Sequence, residues 1–458
     1  MFGDHIMSAK KIVITYGTFD CIHYGHIRLL QRAKSLGNYL IVGVTSDDFD
    51  KSRGKVNVQQ SLMERIEGVR NTGLADKIIV EEYEGQKIDD IKRYDVTIFT
   101  VGSDWKGKFD YLKKYCEVIY LDRTEGISST SIRSEERRIK IGLAGNTQES
   151  VFSKYINECQ YVNGAEISGI FVKNIEPFIA DGIQRFDSYD ELLDNSDAVY
   201  IDSMPQKHYE DVRKALQENK HVICESPIAL TESDCEELYS IASDKKLVLM
   251  DGIKTAYATA YNRLQLLVNS GAIGHVASIS ATCTRLLSEE KIINPYTWNS
   301  MCEWGPTALL PVFQIIGPAF RRESFITSRL PDSKNDIYTQ IQILYDDASA
   351  IITVANGIKS ESELLISGDK GYIYVPAPWW KTEYFEVRRE DSNNNKRYFY
   401  QLEGEGIRYE LVAFLKEIQT GRNQSYLSPD ISKAIARTME NYFSDRNLTQ
   451  IRNGVHEQ

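Results

Sequence analysis

The sequence predicts an α/β fold that is divided into more than one domain. Its 458 residues exceed the size at which a single hydrophobic core normally stops growing. Two β-branched runs, at residues 10–17 and 139–145, each end in glycine and lead into a turn. From residue 139 to residue 252, strand-like runs alternate with helical ones, which is the order that a doubly wound parallel sheet requires.

The first run opens a strand–turn–helix–strand unit. The strand KKIVITYG is followed by the helical pattern IRLLQRAKSLG, which ends in a C-cap glycine, and then by the second strand YLIVGVTSDD. His23 and His26 therefore lie on the turn and the first helical residues, at the carboxyl edge of the sheet. Because helix N-termini attract anions, two imidazoles at this place predict a phosphate site. The alternative interpretation is that one histidine caps the helix and the other packs against it.

A second polar segment follows the apolar strand CEVIYL. This segment, LDRTEGISSTSIR, spans residues 121–133 and places an arginine, a glycine and several hydroxyls just before a helix. These residue types form a cradle for phosphate. A simple helix N-cap would also use serine and threonine, but it would not need the arginine and the glycine.

Composition and charge exclude several classes of function. A net charge of −11 argues against a nucleic-acid partner and against an anionic membrane surface. Seven cysteines, an odd number without a Cys-x-x-Cys pair, predict free thiols in a reducing compartment and no zinc site. No apolar run approaches the ~18 residues of a transmembrane helix, and the first eleven residues lack the apolar stretch of a signal peptide. We therefore expect a cytoplasmic protein.

The motifs GTFDCIHYGH and RTEGISST resemble those of the cytidylyltransferase family, most closely its glycerol-3-phosphate cytidylyltransferases. The match covers about residues 10–133. The resemblance implies a Rossmann-like nucleotidyltransferase domain at residues 1–134. It also implies transfer of CMP from CTP to a phosphomonoester, with release of pyrophosphate and formation of a CDP-linked alcohol. Magnesium carried by CTP would share the charge of the phosphates.

The resemblance also assigns roles to individual residues. The catalytic residues that it implies are His23, His26 and Arg123. The residues implied to line the nucleotide are Thr18, Phe19, Lys55, Asp104, Thr124, Ser128, Ser129 and Thr130. Lys87 would hold the acceptor phosphate, and Arg53 stands where the family has a substrate lysine. Because a guanidinium does not replace an ammonium directly, the acceptor can differ from glycerol 3-phosphate. Arg53 and Lys55 belong to the charged loop SDDFDKSRGKVN, at residues 46–57, whose basic residues are equally well explained as solvated surface.

The second half resembles another family. DAVYIDSMPQKHYEDVRKALQENKHVICESPIALT, at residues 197–231, is similar to the glucose-fructose oxidoreductase and inositol dehydrogenase family of NAD(P)-dependent enzymes, and the likeness spans residues 139–441. It implies a Rossmann NAD(P)-binding domain at residues 138–258. It also implies an α+β open-faced sheet domain at residues 259–458, which would complete the substrate site and mediate a homo-oligomer, either a dimer or a tetramer.

Three departures from the pattern of this second family concern its chemistry. Ser226 replaces the catalytic lysine of the Glu-Lys-Pro motif, and Glu303 and Thr307 replace an aspartate and a histidine. Thr147 and Ser150 stand where the dinucleotide fingerprint has its second and third glycines. Loss of a positioned acid typically costs about 10²–10⁴ in rate. Either another group donates the proton, or this half carries out no redox chemistry.

Several nearby residues are candidates for the missing roles. The candidate proton donors are Lys254, Tyr257 and His208, with the alternative that they belong to the surface, to the core and to a helix cap, respectively. The residues predicted to bind the nicotinamide cofactor are Gly145, Lys173, Pro205, His208 and Glu225. Lys173 favours the 2′-phosphate of NADPH over NADH, although solvent exposure explains a lysine there equally well. The residues predicted to bind substrate in this half are Trp298, Glu303 and Thr307.

Two functional hypotheses follow from these patterns. In the first, a bifunctional enzyme makes a CDP-activated polyol: one half joins CTP to a sugar, ketose or polyol phosphate, such as fructose 6-phosphate or glycerol 3-phosphate, and the other reduces a carbonyl of the same skeleton with NAD(P)H. In the second, the C-terminal half is a catalytically silent binding or oligomerisation module behind a cytidylyltransferase.

Overall fold

A computed structural model describes residues 11–20, 22, 24–47, 49, 58, 60, 62–83, 85–122, 138–145, 149–162, 164–172, 182–294, 297–330, 335–400, 402, 404–421, 423 and 425–451; for Tyr24, Glu64, Glu149 and Ser150 it describes the backbone alone. The chain divides into two compact units, Met1–Arg137 and Arg138–Gln458. The predicted site residues that lie outside the described residues are His23, Arg53, Lys55, Arg123, Thr124, Ser128, Ser129, Thr130 and Lys173.

The first unit is built on a sheet of five parallel strands in the order β3-β2-β1-β4-β5. The strands are Ile12–Gly17 (β1), Tyr39–Thr45 (β2), Lys77–Glu81 (β3), Ile98–Gly102 (β4) and Glu117–Leu121 (β5). The helices are Tyr24–Ser35 (α1), Leu62–Asn71 (α2) and Gln86–Arg93 (α3), with 3-10 turns at Ser103–Trp105 and Asp110–Lys114. Alternate residues of the buried strands supply two separate apolar clusters, one on each face of the sheet.

The strand order of the first unit fixes where a ligand can bind. From β1 the chain adds β2 and β3 on one side, then crosses over to add β4 and β5 on the other side. The carboxyl ends of β1 and β4 therefore diverge into a crevice, which is the usual ligand site of such sheets.

The second unit begins with another parallel sheet of five strands, in the order β10-β9-β8-β6-β7. The strands are Ile139–Gly145 (β6), Ala165–Val172 (β7), Ala198–Asp202 (β8), His221–Glu225 (β9) and Leu249–Gly252 (β10). The helices are Glu149–Cys159 (α4), Tyr189–Asp194 (α5), Pro205–Gln217 (α6) and Glu232–Lys245 (α7). Here the strand order reverses between β6 and β8.

A mixed sheet of nine strands completes the second unit, in the order β18-β17-β16-β15-β11-β14-β13-β12-β19. Its strands are Val276–Thr284 (β11), Arg322–Arg329 (β12), Asp336–Leu344 (β13), Ser349–Ala355 (β14), Leu364–Gly368 (β15), Gly371–Val375 (β16), Tyr384–Arg388 (β17), Lys396–Phe399 (β18) and Leu448–Gln450 (β19). The remaining helices are Thr259–Asn269 (α8), Glu289–Ile293 (α9), Ser300–Ile315 (α10), Ile407–Thr420 (α11) and Pro429–Phe443 (α12).

Helix packing joins the two sheets of the second unit. Helix α10 lies on β11, β13 and β14, whereas α11 packs on α4 and α12 packs on α7. Leu344 and Ile351, on the opposite face of the mixed sheet, are about half exposed, at 50% and 46%. The predicted fold class, two parallel nucleotide-binding sheets followed by a mixed sheet, is confirmed. The division of the second unit at residue 258 stays a prediction. No helix in the described parts of the chain has the length and hydropathy needed to cross a bilayer.

Candidate active sites

The candidate site of the first unit begins where β1 ends. Phe19 follows the strand with a φ of +53° and turns the chain toward α1. Its buried ring meets the ring of His26 edge to face, with centroids 5.6 Å apart. His26 is half-buried in the first turn of α1. The structure therefore places this imidazole at the front of a helix and at the carboxyl edge of the sheet, where phosphate oxygens are bound favourably.

A buried arginine that the sequence patterns do not single out fixes the shape of this edge. The side chain of Arg65, on α2, is fully buried and forms an ion pair with Asp47. Its Nη1 donates to the carbonyl oxygens of Thr18 and Thr45, at 2.7 and 2.8 Å, and its Nε donates to that of Gln60 at 3.1 Å. Arg65 thus ties together the segments that follow β1 and β2. The sequence signal that indicates this role is a charged residue, Arg65, on the apolar face of the helix Leu62–Asn71.

Lys87 lies at the same edge, in the first turns of α3. Its side chain is 9% exposed and forms an ion pair with Glu81, at the end of β3. The ammonium group stands over two aromatic rings, 4.7 Å from the ring centre of Tyr16 and 5.5 Å from that of Phe109. The ammonium group of Lys87 is thus held at this edge by a buried carboxylate and two aromatic rings.

Buried hydrogen bonds hold the floor of this region. The hydroxyl of Tyr16 donates to Asp90 Oδ2 at 2.8 Å, and Gln86 Nε2 donates to the same oxygen at 3.1 Å. Burial, followed by the neighbouring charge of Asp90, raises the pKa of Tyr16 far above its usual range, so the phenol stays protonated. Asp104 lies exposed on the 3-10 turn after β4, on the other side of the crevice.

The candidate site of the second unit lies at the carboxyl ends of β9 and β10. Gly252 pairs in register with Glu225 on the neighbouring strand. Ser226 and Lys254 therefore leave adjacent strands at the same edge of the sheet. The side chain of Lys254 is 35% exposed, and its Nζ lies 3.8 Å from Glu405 Oε2. A lysine is thus present at this edge, one strand away from the position where the sequence pattern lacks it.

Lys254 interacts electrostatically with several buried carboxyl groups. Burial, then the charges of Glu225 and Glu303, raises the pKa of Asp202 well above its usual value, while Lys254 opposes the shift. Burial likewise raises the pKa of Glu225, which accepts a hydrogen bond of 2.5 Å from the hydroxyl of Tyr200. Lys254 lowers the pKa of both carboxyl groups, so its ammonium group is the counter-charge of this cluster.

A second pair of buried residues extends this cluster. The hydroxyl of Tyr155, on α4, donates to Glu410 Oε2 on α11 at 2.7 Å. The rings of Tyr155 and Tyr200 are stacked with centroids 3.7 Å apart. Burial, followed by the charge of Glu225, raises the pKa of Glu410 to about 8. The sequence patterns did not reveal these residues, because their partners are separated by more than 200 positions along the chain.

The other two candidate proton donors are engaged in the interior. His208 is fully buried, with Nδ1 2.8 Å from the carbonyl oxygen of Pro227 and Nε2 2.7 Å from that of Ser203. Burial lowers the pKa of His208. Tyr257 is 3% exposed and its hydroxyl lies 3.0 Å from Ser425 Oγ. Of the three candidates, Lys254 is the accessible one.

The predicted substrate residues lie on and beside α10. Glu303 and Thr307 are one turn apart on this helix. Glu303 forms an ion pair with Arg285 and accepts a hydrogen bond of 3.1 Å from Asn356, and burial raises its pKa against the opposing charge of Arg285. Trp298, 9% exposed, packs edge to face on the ring of His208 at 5.4 Å. Of the three predicted residues, Trp298 thus contacts the buried His208 directly.

The adjacent tryptophans Trp379 and Trp380 have different environments. Trp379 is fully buried and donates to the carbonyl oxygen of Thr282 at 3.1 Å, which makes it a core residue. Trp380 is half-buried and lies 4.8 Å from Trp304, measured between ring centres. Only Trp380 of the pair retains a partly accessible ring.

At the start of the second unit, Gly145 and Pro205 follow the pattern of a dinucleotide-binding sheet. A Cβ at Gly145 would lie 2.6 Å from the carbonyl oxygen of Asp202 and 2.6 Å from the ring of Phe152, so glycine lets β6, β8 and α4 approach closely. Pro205 begins α6, where its missing N–H leaves no helical bond unmade. Close packing of the first strand, its neighbour and the following helix is a feature of dinucleotide-binding sheets.

Comparison with known proteins assigns each unit to a protein family. Residues 14–135 match the family described as cytidylyltransferase-like. Glycerol-3-phosphate cytidylyltransferase of Bacillus spizizenii is 51% identical over 125 residues, which are 27% of this chain and 96% of that protein. The chain belongs to the cytidylyltransferase-like family. Its first unit is a cytidylyltransferase domain, as the two motifs predicted.

The second unit is an oxidoreductase-family domain. Residues 139–253 match the oxidoreductase family with an NAD-binding Rossmann fold. A 3-ketoreductase from Actinomadura kijaniata, solved with NADP and TDP-benzene, covers 69% of this chain and 100% of its own, with a TM-score of 0.61 at 16% identity. A dTDP-3,4-didehydro-2,6-dideoxy-alpha-D-glucose 3-reductase of Streptomyces violaceoruber is 34% identical over 105 residues, 22% of this chain and 31% of that protein. The chain thus joins a cytidylyltransferase domain to an NAD(P)-binding oxidoreductase fold.

Proposed function

We propose that the protein is a bifunctional enzyme that makes a CDP-activated polyol. The cytidylyltransferase unit joins CTP to a sugar or ketose phosphate, and the oxidoreductase unit reduces the carbonyl of the product to the hydroxyl of a polyol. Fructose 6-phosphate, which would give CDP-glucitol through CDP-fructose, is the first candidate acceptor. Dihydroxyacetone phosphate is the second, because its CDP ester carries a ketone that reduction would convert to CDP-glycerol. Glycerol 3-phosphate, which has no carbonyl, would give CDP-glycerol through the first reaction alone. Such donors feed capsule or other surface polysaccharides, and we place their synthesis in the cytoplasm.

The first reaction needs alignment and charge neutralisation more than a strong base. An oxygen of the acceptor phosphate forms a bond to the α-phosphorus of CTP, and the bond from that phosphorus to the β-phosphate oxygen breaks, so pyrophosphate leaves with its electrons. His26, with His23, would donate hydrogen bonds to the phosphate oxygens. Lys87 would hold the acceptor phosphate, and Arg65 keeps the edge in shape. Magnesium that enters with CTP would share the charge.

The second reaction needs a hydride and a proton. The nicotinamide, when bound, supplies the hydride to the carbonyl carbon. Lys254 would donate a proton from its ammonium group to the carbonyl oxygen, which becomes the hydroxyl of the polyol. Glu303, Thr307 and Trp298 would orient the carbonyl-bearing chain. The observation that carries this proposal is the register of Gly252 with Glu225, because it brings Lys254 to the strand edge where Ser226 replaces the expected lysine.

We infer that activation precedes reduction. The similar reductase of Streptomyces violaceoruber acts, by its name, on a dTDP-linked sugar, and the 3-ketoreductase from Actinomadura kijaniata was solved with TDP-benzene. A second unit that takes a nucleotide-linked ketone would use the product of the first unit directly. Covalent linkage of the two units then raises the local concentration of this intermediate. A homo-oligomer that covers the exposed face of the mixed sheet also belongs to this proposal.

A catalytically silent second unit is the alternative. The replacements Ser226 and Thr307 favour it, as does the burial of His208, whose ring nitrogens both face backbone carbonyl oxygens. In this case the second unit would bind or oligomerise without any hydride transfer.

One assay separates the two functions. The protein is incubated with CTP, a panel of ketose and polyol phosphates and inorganic pyrophosphatase, and phosphate release is measured. NADPH is then added and its absorbance followed. Oxidation of NADPH that requires CTP supports the bifunctional enzyme and the order of the two reactions. Phosphate release without oxidation of NADPH, across the panel, supports the silent module. Absence of phosphate release with every acceptor overturns both.

A further inference from the structure

Three lysines of the second unit converge on one carboxylate. Lys154 Nζ lies 2.9 Å from Glu405 Oε2, Lys381 Nζ lies 2.6 Å from Glu405 Oε1, and Lys254 Nζ lies 3.8 Å from Glu405 Oε2. The lysines come from three separate elements: α4, the 3-10 turn Trp379–Lys381 and the turn after β10. We call this set of four residues the lysine cluster.

The backbone presents Glu405 to the lysines in a fixed way. Gly404, Glu405 and Gly406 have φ angles of +57°, +54° and +92°, so the turn is left-handed throughout. A Cβ at Gly404 would collide with the carboxylate of Glu158, and one at Gly406 would lie 3.2 Å from the carbonyl oxygen of Lys254. The turn is therefore held against its neighbours. The side chain of Glu405 itself is 32% exposed and reaches the lysines through rotatable bonds.

Stability alone does not explain this arrangement. Ion pairs as exposed as these, with lysine side chains 48%, 39% and 35% exposed, contribute little net stability. Ammonium groups that are drawn to one point also repel one another. Although partial burial raises the pKa of Glu405, its three lysine neighbours outweigh burial and lower that pKa to about 2. One permanent negative charge thus faces three positive charges. Lys254 is also the counter-charge of the buried Asp202 and Glu225, whereas Lys154 and Lys381 share Glu405 as their partner.

We propose that Lys154, Lys254 and Lys381 form a binding site for the diphosphate group of a dinucleotide or nucleotide-linked ligand, and that the carboxylate of Glu405 occupies this site until the ligand arrives. A diphosphate that is esterified at both ends carries two negative charges, which would meet the ammonium groups of Lys154 and Lys381 when the carboxylate of Glu405 turns away. Burial raises the pKa of Glu410 to about 8 although Lys254 opposes the shift, so this carboxyl group is mostly protonated at neutral pH. The inference rests on the proposed function, because it takes Lys254 to lie beside the reacting carbonyl.

Two ligands carry this chemistry: the CDP-linked product of the first unit and the nicotinamide dinucleotide. The half-buried ring of Trp380 directly precedes Lys381 and offers a stacking surface next to the cluster. A ligand that placed its diphosphate on the lysines would extend its attached group toward this ring.

The test compares affinities of full-length chains for two probes, CDP and NADP⁺. The variants are Glu405→Gln, which removes the competing charge, and Lys381→Gln, which removes one ammonium group. Asp430→Asn and Lys433→Gln are the matched controls, because these residues form a 2.8 Å ion pair on α12 away from the cluster. All chains carry His26→Ala to weaken binding of CDP to the first unit. Because that unit is the same in every chain, any difference between chains arises in the second.

We expect Glu405→Gln to tighten the binding of at least one probe by about fivefold at low salt, and Lys381→Gln to weaken it by about fivefold. Both effects should shrink as salt screens the charges. An effect on CDP identifies the nucleotide-linked substrate as the source of the diphosphate, whereas an effect on NADP⁺ identifies the cofactor. Binding that is unchanged or weaker in Glu405→Gln overturns the inference, since Glu405 would then only hold the lysines in place. Unchanged binding in Lys381→Gln overturns it as well.

A failure of this inference can be told apart from a failure of the proposed function. If the natural chain oxidises NADPH in the presence of CTP and an acceptor phosphate while the two variants keep their affinities, only the lysine cluster loses its role. If the natural chain neither binds nor oxidises NADPH, the proposed reductase is wrong.

Discussion

The hydroxyl of Tyr155 donates a 2.7 Å hydrogen bond to the carboxyl group of Glu410, although neither residue is accessible to solvent. Tyr155 belongs to the helix that follows the first strand of the second unit, and Glu410 belongs to a helix near the end of the chain. A titratable contact therefore joins the nucleotide-binding sheet to the C-terminal helices.

Burial of Glu410, followed by the charge of Glu225, predicts a pH dependence of stability. The pKa of Glu410 is raised from 4.5 to about 8 in the folded protein. Between these two values the folded state keeps a proton that the unfolded state has lost, so the free energy of unfolding falls as pH rises, by at most about 1.4 kcal/mol per pH unit. Urea unfolding of the natural chain and of Glu410→Gln at several pH values across this window measures the effect. Profiles that run parallel in the two chains would contradict it.

Lys254→Met should abolish the oxidation of NADPH and leave pyrophosphate release intact. The reason is that the alkoxide formed by hydride addition would lose its proton donor, at a cost of about 10²–10⁴ in rate. Both activities are measured on the same preparation, with Lys433→Met as the control for loss of a lysine elsewhere. Unchanged turnover of NADPH would remove Lys254 from the site.

Ser226→Lys tests whether the lysine has moved between strands. Because Ser226 and Lys254 leave neighbouring strands at one edge, an ammonium group introduced at position 226 should restore part of the reductase activity of Lys254→Met. The measurement is the NADPH oxidation rate of the double variant against that of the single one. No recovery in a folded double variant would mean that the two positions do not address the same carbonyl.

His26→Ala should slow nucleotidyl transfer by about 10²–10³, the loss typical of removing one donor from a developing charge. The variant should keep its affinity for NADPH, since the second unit is a separate compact body. His275, exposed on the second unit, provides the control His275→Ala. Pyrophosphate release at the natural rate in His26→Ala would rule out the phosphate-binding role of this imidazole.

Arg65→Lys should destabilise the first unit by about 2–4 kcal/mol, because a lysine cannot reach three carbonyl oxygens and a carboxylate in the interior at the same time. Chemical denaturation followed by a probe in the first unit reports the change. Arg70→Lys is the matched control, since Arg70 is exposed and forms an ion pair with Glu67 on its own helix. Equal unfolding midpoints for the two variants would show that Arg65 is dispensable.

The sequence predicts the order of strands and helices well, because these elements are encoded by neighbouring residues. The runs at β1 and β6 are mostly apolar, contain β-branched residues and end in glycine, so each strand and the turn after it are encoded by neighbouring residues. The edge that carries His26 and Lys87 follows from strand order in the same way. These features need only short-range patterns and the right-handed crossover rule.

The interior of the second site was not predictable in the same way. Glu410 and Tyr155 are brought together by packing of α4 on α11, and Glu405 reaches Lys154 across a similar distance in sequence. His208 looked available for chemistry, but burial engages both of its ring nitrogens with backbone oxygens. No periodicity in the sequence encodes such contacts, since they depend on the whole tertiary arrangement.

Arg65 donates hydrogen bonds to main-chain carbonyl oxygens of three separate residues. Every amino acid carries such an oxygen, so these hydrogen bonds do not depend on which side chains occupy the three positions. The rim of the nucleotide pocket can therefore change its chemical character during evolution, and adapt to new acceptors, while one guanidinium preserves its contour.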